Sequence, residues 1–106
     1  MLNNIVLVGR IVEPPQLRES TSGNKYATVV LEIMRPFKNS NGIHDSDRIS
    51  VTLWKGIAEM ACDCCKVGDM LGVKGRLQAY CVEKESHTYY NYEVIAEHLS
   101  YMTKNE

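Results

Sequence analysis

Apolar and polar residues alternate in several stretches of this chain, and each such stretch reads as a β-strand. Residues 4–12 are apolar on both alternating sets, Ile5, Leu7, Gly9 and Ile11 on one and Val6, Val8, Arg10 and Val12 on the other. A strand covered on both faces has this pattern. In a single small barrel only one face meets the core, so the face bearing Val6, Val8 and Val12 is expected to meet another subunit. Glu13-Pro14-Pro15 ends the strand, because proline donates no ladder hydrogen bond. Tyr26 to Met34 forms a second strand with Ala27, Val29, Leu31 and Ile33 on one face, after a turn signal at 21–24. Polar residues 38–47 carry Asn41-Gly42, a pair that accepts positive φ and marks a hairpin tip. A third strand follows over 48–55. There Ile49, Val51 and Leu53 alternate with Arg48, Ser50, Thr52 and Trp54, which sets the chain's only tryptophan among the polar residues.

Between Gly56 and Gly68 the period changes to a helical one. Ile57, Met60, Ala61 and Cys64 share one side and Glu59, Asp63 and Lys66 the other, which predicts a helix of roughly three turns. Alternation returns over 70–82, where Leu71, Val73, Gly75, Leu77 and Ala79 oppose Lys74, Arg76, Gln78, Tyr80 and Val82. Polar residues 83–88 precede a last strand over 89–99. The expected fold is all-β, a five-stranded Greek-key barrel of the oligonucleotide/oligosaccharide-binding type (OB-fold) with one helix between strands 3 and 4.

Composition narrows the function classes. At 106 residues the chain suits one domain, expected over 1–102, with 103–106 as a short C-terminal remnant and Met102 to Glu106 frayed. No run approaches the roughly 20 apolar residues that span a bilayer, so no membrane partner is expected. The apolar start has no basic segment before it and is broken by Gly9 and Arg10, which argues against a signal peptide and for a cytoplasmic location. The net charge of −1 hides an asymmetry: residues 1–82 carry ten Lys/Arg and eight Asp/Glu, a net of +2, whereas 83–106 carry two and five, a net of −3. A polyanion would use a local basic surface. His44, Asp45 and Asp47 share one polar loop, yet nothing supplies a nucleophile, an oxyanion site or a shielded pocket, so no enzyme is read.

Met1 to Ile11, Arg35-Pro36-Phe37, the strand ending in Trp54-Lys55, and Gly72-Val73-Lys74-Gly75-Arg76-Leu77-Gln78 together resemble the bacterial single-stranded DNA-binding protein family, with nearly the same spacing from residue 1 to about 101. The resemblance implies sequence-independent binding of single-stranded DNA in replication, recombination or repair, a nucleoid-associated location, and assembly usually into a homotetramer. An outward ring stacks on an exposed base for roughly 1–3 kcal/mol, which gives Trp54 a reason to sit among polar residues. Phe37 corresponds to a second stacking position, and Tyr80 is on the same strand face as Arg76. Arg10, Arg35, Lys38, Arg48, Lys55, Lys74 and Arg76 are the candidates for phosphate contacts, or for cation–π contacts with bases.

The sequence departs from the family pattern at Arg48 and Val82, where members usually carry aromatics, so weaker or differently routed DNA binding is expected. Family members also continue into a Gly/Pro/Gln-rich tail with an acidic, hydrophobic tip that recruits other replication and repair proteins. The sequence here ends at Glu106 without that tail, so the resemblance leaves replication and repair proteins open as partners. Other readings stay open. Trp54 packs under a loop or another subunit; Arg48 makes a surface ion pair with Asp45 or Asp47; the barrel is a dimeric adaptor like primosomal replication protein N. In a different class, Cys62-Asp63-Cys64-Cys65 forms a thiol or zinc site. Against that, Cys64 and Cys65 are expected to face the core, and no cofactor or metal is assigned.

Overall fold

The inward sets of the alternating strands meet in one core. The computed structural model describes residues 1–102, as β1 (Ile5–Glu13), β2 (Arg18–Glu19), β3 (Lys25–Lys38), β4 (His44–Trp54), α1 (Lys55–Cys64), β5 (Met70–Lys84) and β6 (His87–Met102). Strand order in the sheet is β1-β5-β6-β4-β3-β2, and β1 also pairs with β3. That extra pairing closes five strands into a barrel and leaves the two-residue β2 as an added edge on β3. Among the described residues only the β4–β6 seam is parallel, with Val51 beside Val94 and Thr52 beside Ile95. The helix lies between the third and fourth barrel strands, as the change of period predicts.

Register explains the core. Ala27 is opposite Leu53, Val29 opposite Val51, and Leu31 opposite Ile49. Ile11, Val29, Leu31, Val51, Leu53, Leu71 and Val73 are its largest fully buried side chains. Two positions need glycine for close approach. A Cβ at Gly9 would meet Ile33 Cγ1 at 2.7 Å and the Glu32 carbonyl at 2.8 Å where β1 crosses β3, and one at Gly75 would run into the Ile95 carbonyl. At Gly75 the β5–β6 register shifts, passing from Lys74 opposite His98 to Gly75 opposite Ala96, so Glu97 is the extra residue.

Three expectations are corrected. Cys64 is exposed and Met60 is 55% exposed, whereas Ala58, Ala61 and Cys65 are buried. The helix is turned by about one position because its small alanines permit close approach to the barrel and the larger Met60 does not. Leu77 and Ala79 are exposed rather than inward, because β5 and β6 run beyond the barrel as a paired arm to Lys84 and His87. The fraying expected from Met102 does not hold there: Met102 pairs with Met70 at the end of β6. The remaining fraying expectation, for 103–106, lies outside the described residues.

Both arms end in tight turns. At the β3–β4 tip Asn39 Oδ1 accepts from the backbone N–H of Asn41 (2.9 Å) and Ile43 (3.0 Å), and Gly42 has φ 75°. The β5–β6 tip uses Glu85 and Ser86 at φ 52° and 65°, a two-residue turn built without glycine.

Candidate nucleic-acid interface

Because Leu53 points inward, strand geometry turns Trp54 outward. It is the last residue of β4 and the N-cap of α1, with φ −115° and ψ 145°, and it stays 37% exposed. Lys55, which starts the helix directly after it, has φ 53°, a left-handed conformation that costs a non-glycine residue about 1–2 kcal/mol. Directly opposite Trp54 on β3 is Tyr26. Their ring centroids are 5.2 Å apart at an interplanar angle of 37°, within the range of favourable aromatic pairs. Trp54 is therefore a partly covered but accessible ring on the outer wall, held on one side by Tyr26.

The register extends this wall. Arg76 is beside Ile95, Ile95 beside Thr52, and Thr52 beside Thr28, one row across β5, β6, β4 and β3. Thr52 Oγ1 donates to Glu93 Oε2 at 2.9 Å. Tyr80 lies four residues beyond Arg76 on the same face of β5 and is exposed. Phe37 is 81% exposed and sits at the far end of the β3–β4 arm, eleven residues from Tyr26, on the order of 35 Å of extended strand. Between Met34 and Lys38 the register shifts, so Arg35-Pro36-Phe37 bulges out of the ladder, a place that tolerates proline. The rings of Trp54 and Phe37 thus mark two ends of a path rather than one pocket.

Carboxylates already hold three of the predicted phosphate-binding cations. Arg35 meets Asp47 through two hydrogen bonds, Arg48 lies 3.7 Å from Glu32, and Arg76 lies 3.3 Å from Glu97. Arg48 therefore pairs with Glu32, directly opposite it, and not with Asp45 or Asp47. Hydrogen bonds from Arg35 hold the Asp47 carboxyl below the usual carboxylate range. Arg10, Lys38, Lys55 and Lys74 make no ion pair among the described residues. Lys74 and Arg10 stand on the β1–β5 wall instead, Lys74 opposite Val6 and Arg10 opposite Met70. On that wall Val6 is 73% and Val8 46% exposed, while Val12 is half-buried. The doubly apolar first strand has left an uncovered apolar stripe, with Met102 at its border.

Residues 2–102 match the Single-strand binding protein family. The chain belongs to that family. It is 37% identical over 103 residues to Single-stranded DNA-binding protein B of Bacillus subtilis, covering 96% of this chain and 91% of that one. To the single-stranded DNA-binding protein of Enterococcus faecalis it is 39% identical over 98 residues, covering 92% of this chain and 52% of that protein. The crystal structure of the wild-type single-stranded DNA-binding protein from Thermus aquaticus superposes with a TM-score of 0.81 at 25% identity, over 95% of this chain and 50% of that chain. The chain thus spans about half the length of the Enterococcus and Thermus proteins. Its family is one of binding proteins, not of enzymes.

In this member of the single-strand binding protein family, Tyr26 is the site-wall residue that sequence reasoning did not single out. It starts an apolar alternation and reads as a strand former, and only the pairing with Trp54 reveals it. The cysteine cluster is dispersed: Cys62 is half-buried, with its thiol 3.7 Å from the Pro15 carbonyl, Cys64 is exposed and Cys65 buried. Burial pushes the Cys65 thiol up to about 11. Among the described residues no three His, Cys, Asp or Glu side chains are placed to share a metal ion, and no helix there is long and apolar enough to cross a membrane.

Proposed function

We propose that the chain binds single-stranded DNA without sequence preference, as the names of its relatives suggest, and that it serves replication, recombination or repair, where such strands are exposed. The observation that carries this is the outward Trp54 on a wall shared with Arg48, Arg76 and Tyr80. Bases stack on Trp54, with Phe37 and Tyr80 as outlying platforms, while Lys55, Lys38 and the arginines meet phosphates. Because Arg35, Arg48 and Arg76 start in ion pairs, a phosphate must displace a carboxylate at each. That exchange releases less net counterion than neutralising a phosphate with a free cation, so the salt dependence is shallower than the number of cations suggests.

The exposed Val6 and Val8 support self-assembly through the β1–β5 wall, a homotetramer on the family resemblance and a dimer in the minimal case. An exposed apolar stripe on a strand with a full inward face is otherwise costly to leave in water.

Trp54 is its own probe. Titration with a long oligo-thymidine should quench its emission, and the quench should weaken as salt rises. An unchanged signal together with no complex in a direct anisotropy assay refutes the proposal and leaves a protein-binding barrel.

A further inference from the structure

The aromatic usually found at position 48 in the family is here an arginine paired to Glu32, and the ring nearest Trp54 lies in the opposite direction. Tyr26 is directly across β3–β4 from Trp54, and Arg18 is directly across β2–β3 from Tyr26. Cross-strand partners share a face. Trp54, Tyr26 and Arg18 therefore form one row over three strands, about 10 Å long at two inter-strand spacings of roughly 4.8 Å. Tyr26 is half-buried, neither enclosed in the core nor fully exposed. Arg18 is exposed and makes no ion pair among the described residues, unlike Arg35, Arg48 and Arg76.

Beside the row lies an open groove of about 370 Å³, lined by Glu13, Pro14, Gln16, Arg18, Thr28 and Val30. Its charge is polarised. Arg18 stands at the Tyr26 end, while Glu13 is opposite Val30 at the other. A polyanion is attracted to the first end and repelled from the second.

We infer that Tyr26 and Arg18 form an additional nucleotide subsite next to Trp54. It takes the neighbouring base of a single strand on the tilted Tyr26 ring and the adjoining phosphate on Arg18, and it leads the strand off the barrel over β2. This rests on the reading of Trp54 as a base-stacking residue. The tilt of 37° between the two rings offers successive bases two differently inclined faces instead of one flat platform. The chemistry is base stacking plus one guanidinium–phosphate contact, indifferent to sequence.

Three readouts test it. Arg18 is on an exposed two-residue edge strand, so Arg18→Gln should leave the melting temperature unchanged while making the log–log salt slope for oligo-thymidine binding shallower by about 0.7, the share of one phosphate on a single strand. Tyr26→Leu should weaken binding roughly five- to 150-fold, with Tyr26→Phe retaining it. A merely supporting Tyr26 would also lower affinity, so photocrosslinking with an oligonucleotide carrying 5-iododeoxyuridine separates the roles. Adducts mapped to Tyr26 as well as Trp54 support the subsite. Adducts at Trp54 alone with an unchanged slope for Arg18→Gln overturn it, while the stacking role of Trp54 survives. If the wild-type protein forms no complex with the oligonucleotide, the underlying DNA-binding reading fails as well.

Discussion

Arg35 grips Asp47 across the β3–β4 arm with two hydrogen bonds, Nε to Oδ2 at 3.0 Å and Nη2 to Oδ1 at 2.8 Å. The guanidinium is raised and the carboxyl lowered from their ordinary pKa values by this contact. Since the folded-state value of Asp47 is depressed, the pair is intact above the ordinary carboxylate range and is lost only as pH falls through that lowered value. Asp47→Asn should release Arg35 for phosphate, strengthening oligo-thymidine binding and steepening the salt slope by about 0.7. Wild-type slopes at pH 7 and pH 5 should differ much less than those of wild type and variant at pH 7. Equal slopes for wild type and Asp47→Asn would show that Arg35 does not reach the DNA.

Lys55 opens the first turn of α1 directly after Trp54 with φ 53°, where glycine has no steric cost. A strained residue kept beside the proposed stacking ring points to work for its side chain there. Lys55→Gly should raise stability by about 1 kcal/mol and at the same time weaken DNA binding with a shallower salt slope. Chemical denaturation and the salt titration check the two halves separately. A variant that is both stabler and equally tight in binding would remove Lys55 from the site.

The β5–β6 arm turns at Glu85-Ser86 with both φ values positive. Asn-Gly is the pair such a turn favours. Replacing Glu85-Ser86 by Asn-Gly should slow hydrogen exchange in the outer arm, around Tyr80 and Asn91, which face one another there. The expected gain is about 1–2 kcal/mol of local stability. Unchanged exchange would mean that the turn does not limit opening of the arm.

How much of this was legible depends on whether a residue's neighbours were local. Ala27, Val29, Leu31, Val51 and Leu53 declare the core through period two alone, and the outward phase of Trp54 follows from Leu53. β2 has two residues, too few for any period. The ends of the arms were missed because both faces of residues 79–84 are exposed, so burial no longer imposes alternation. Met60 misled the helix face because hydrophobicity marked it for the core while its size kept it at the rim. In the site, each cation was visible as a residue type, but Glu32, Asp47 and Glu97 become partners only through register and a bulge. The Tyr26–Trp54 contact is of the same kind: two residues 28 positions apart in sequence become neighbours only once β3 and β4 pair.

Thiol chemistry gives the last test, because it bears on whether the cysteine cluster has a function of its own. A redox or metal-binding thiol works as the thiolate and sits where its pKa is low. Burial does the opposite here: it raises Cys62 and brings Cys65 to about 11. At pH 8 only about 0.1% of Cys65 is thiolate, since each unit below the pKa costs a factor of ten. Cys64 and Cys81 are exposed. Iodoacetamide at pH 8 should therefore modify Cys64 and Cys81 first and Cys65 last, as read by intact mass and peptide mapping. Because the folded-state value of Cys65 is raised, the stability gained from burying the neutral thiol is present below about pH 9 and declines as pH rises through about 11. Labelling of Cys65 should accelerate over that same window. Rapid alkylation of Cys65 at pH 8 would instead mean that the helix end opens readily, and would reinstate Cys62 and Cys65 as a reactive pair.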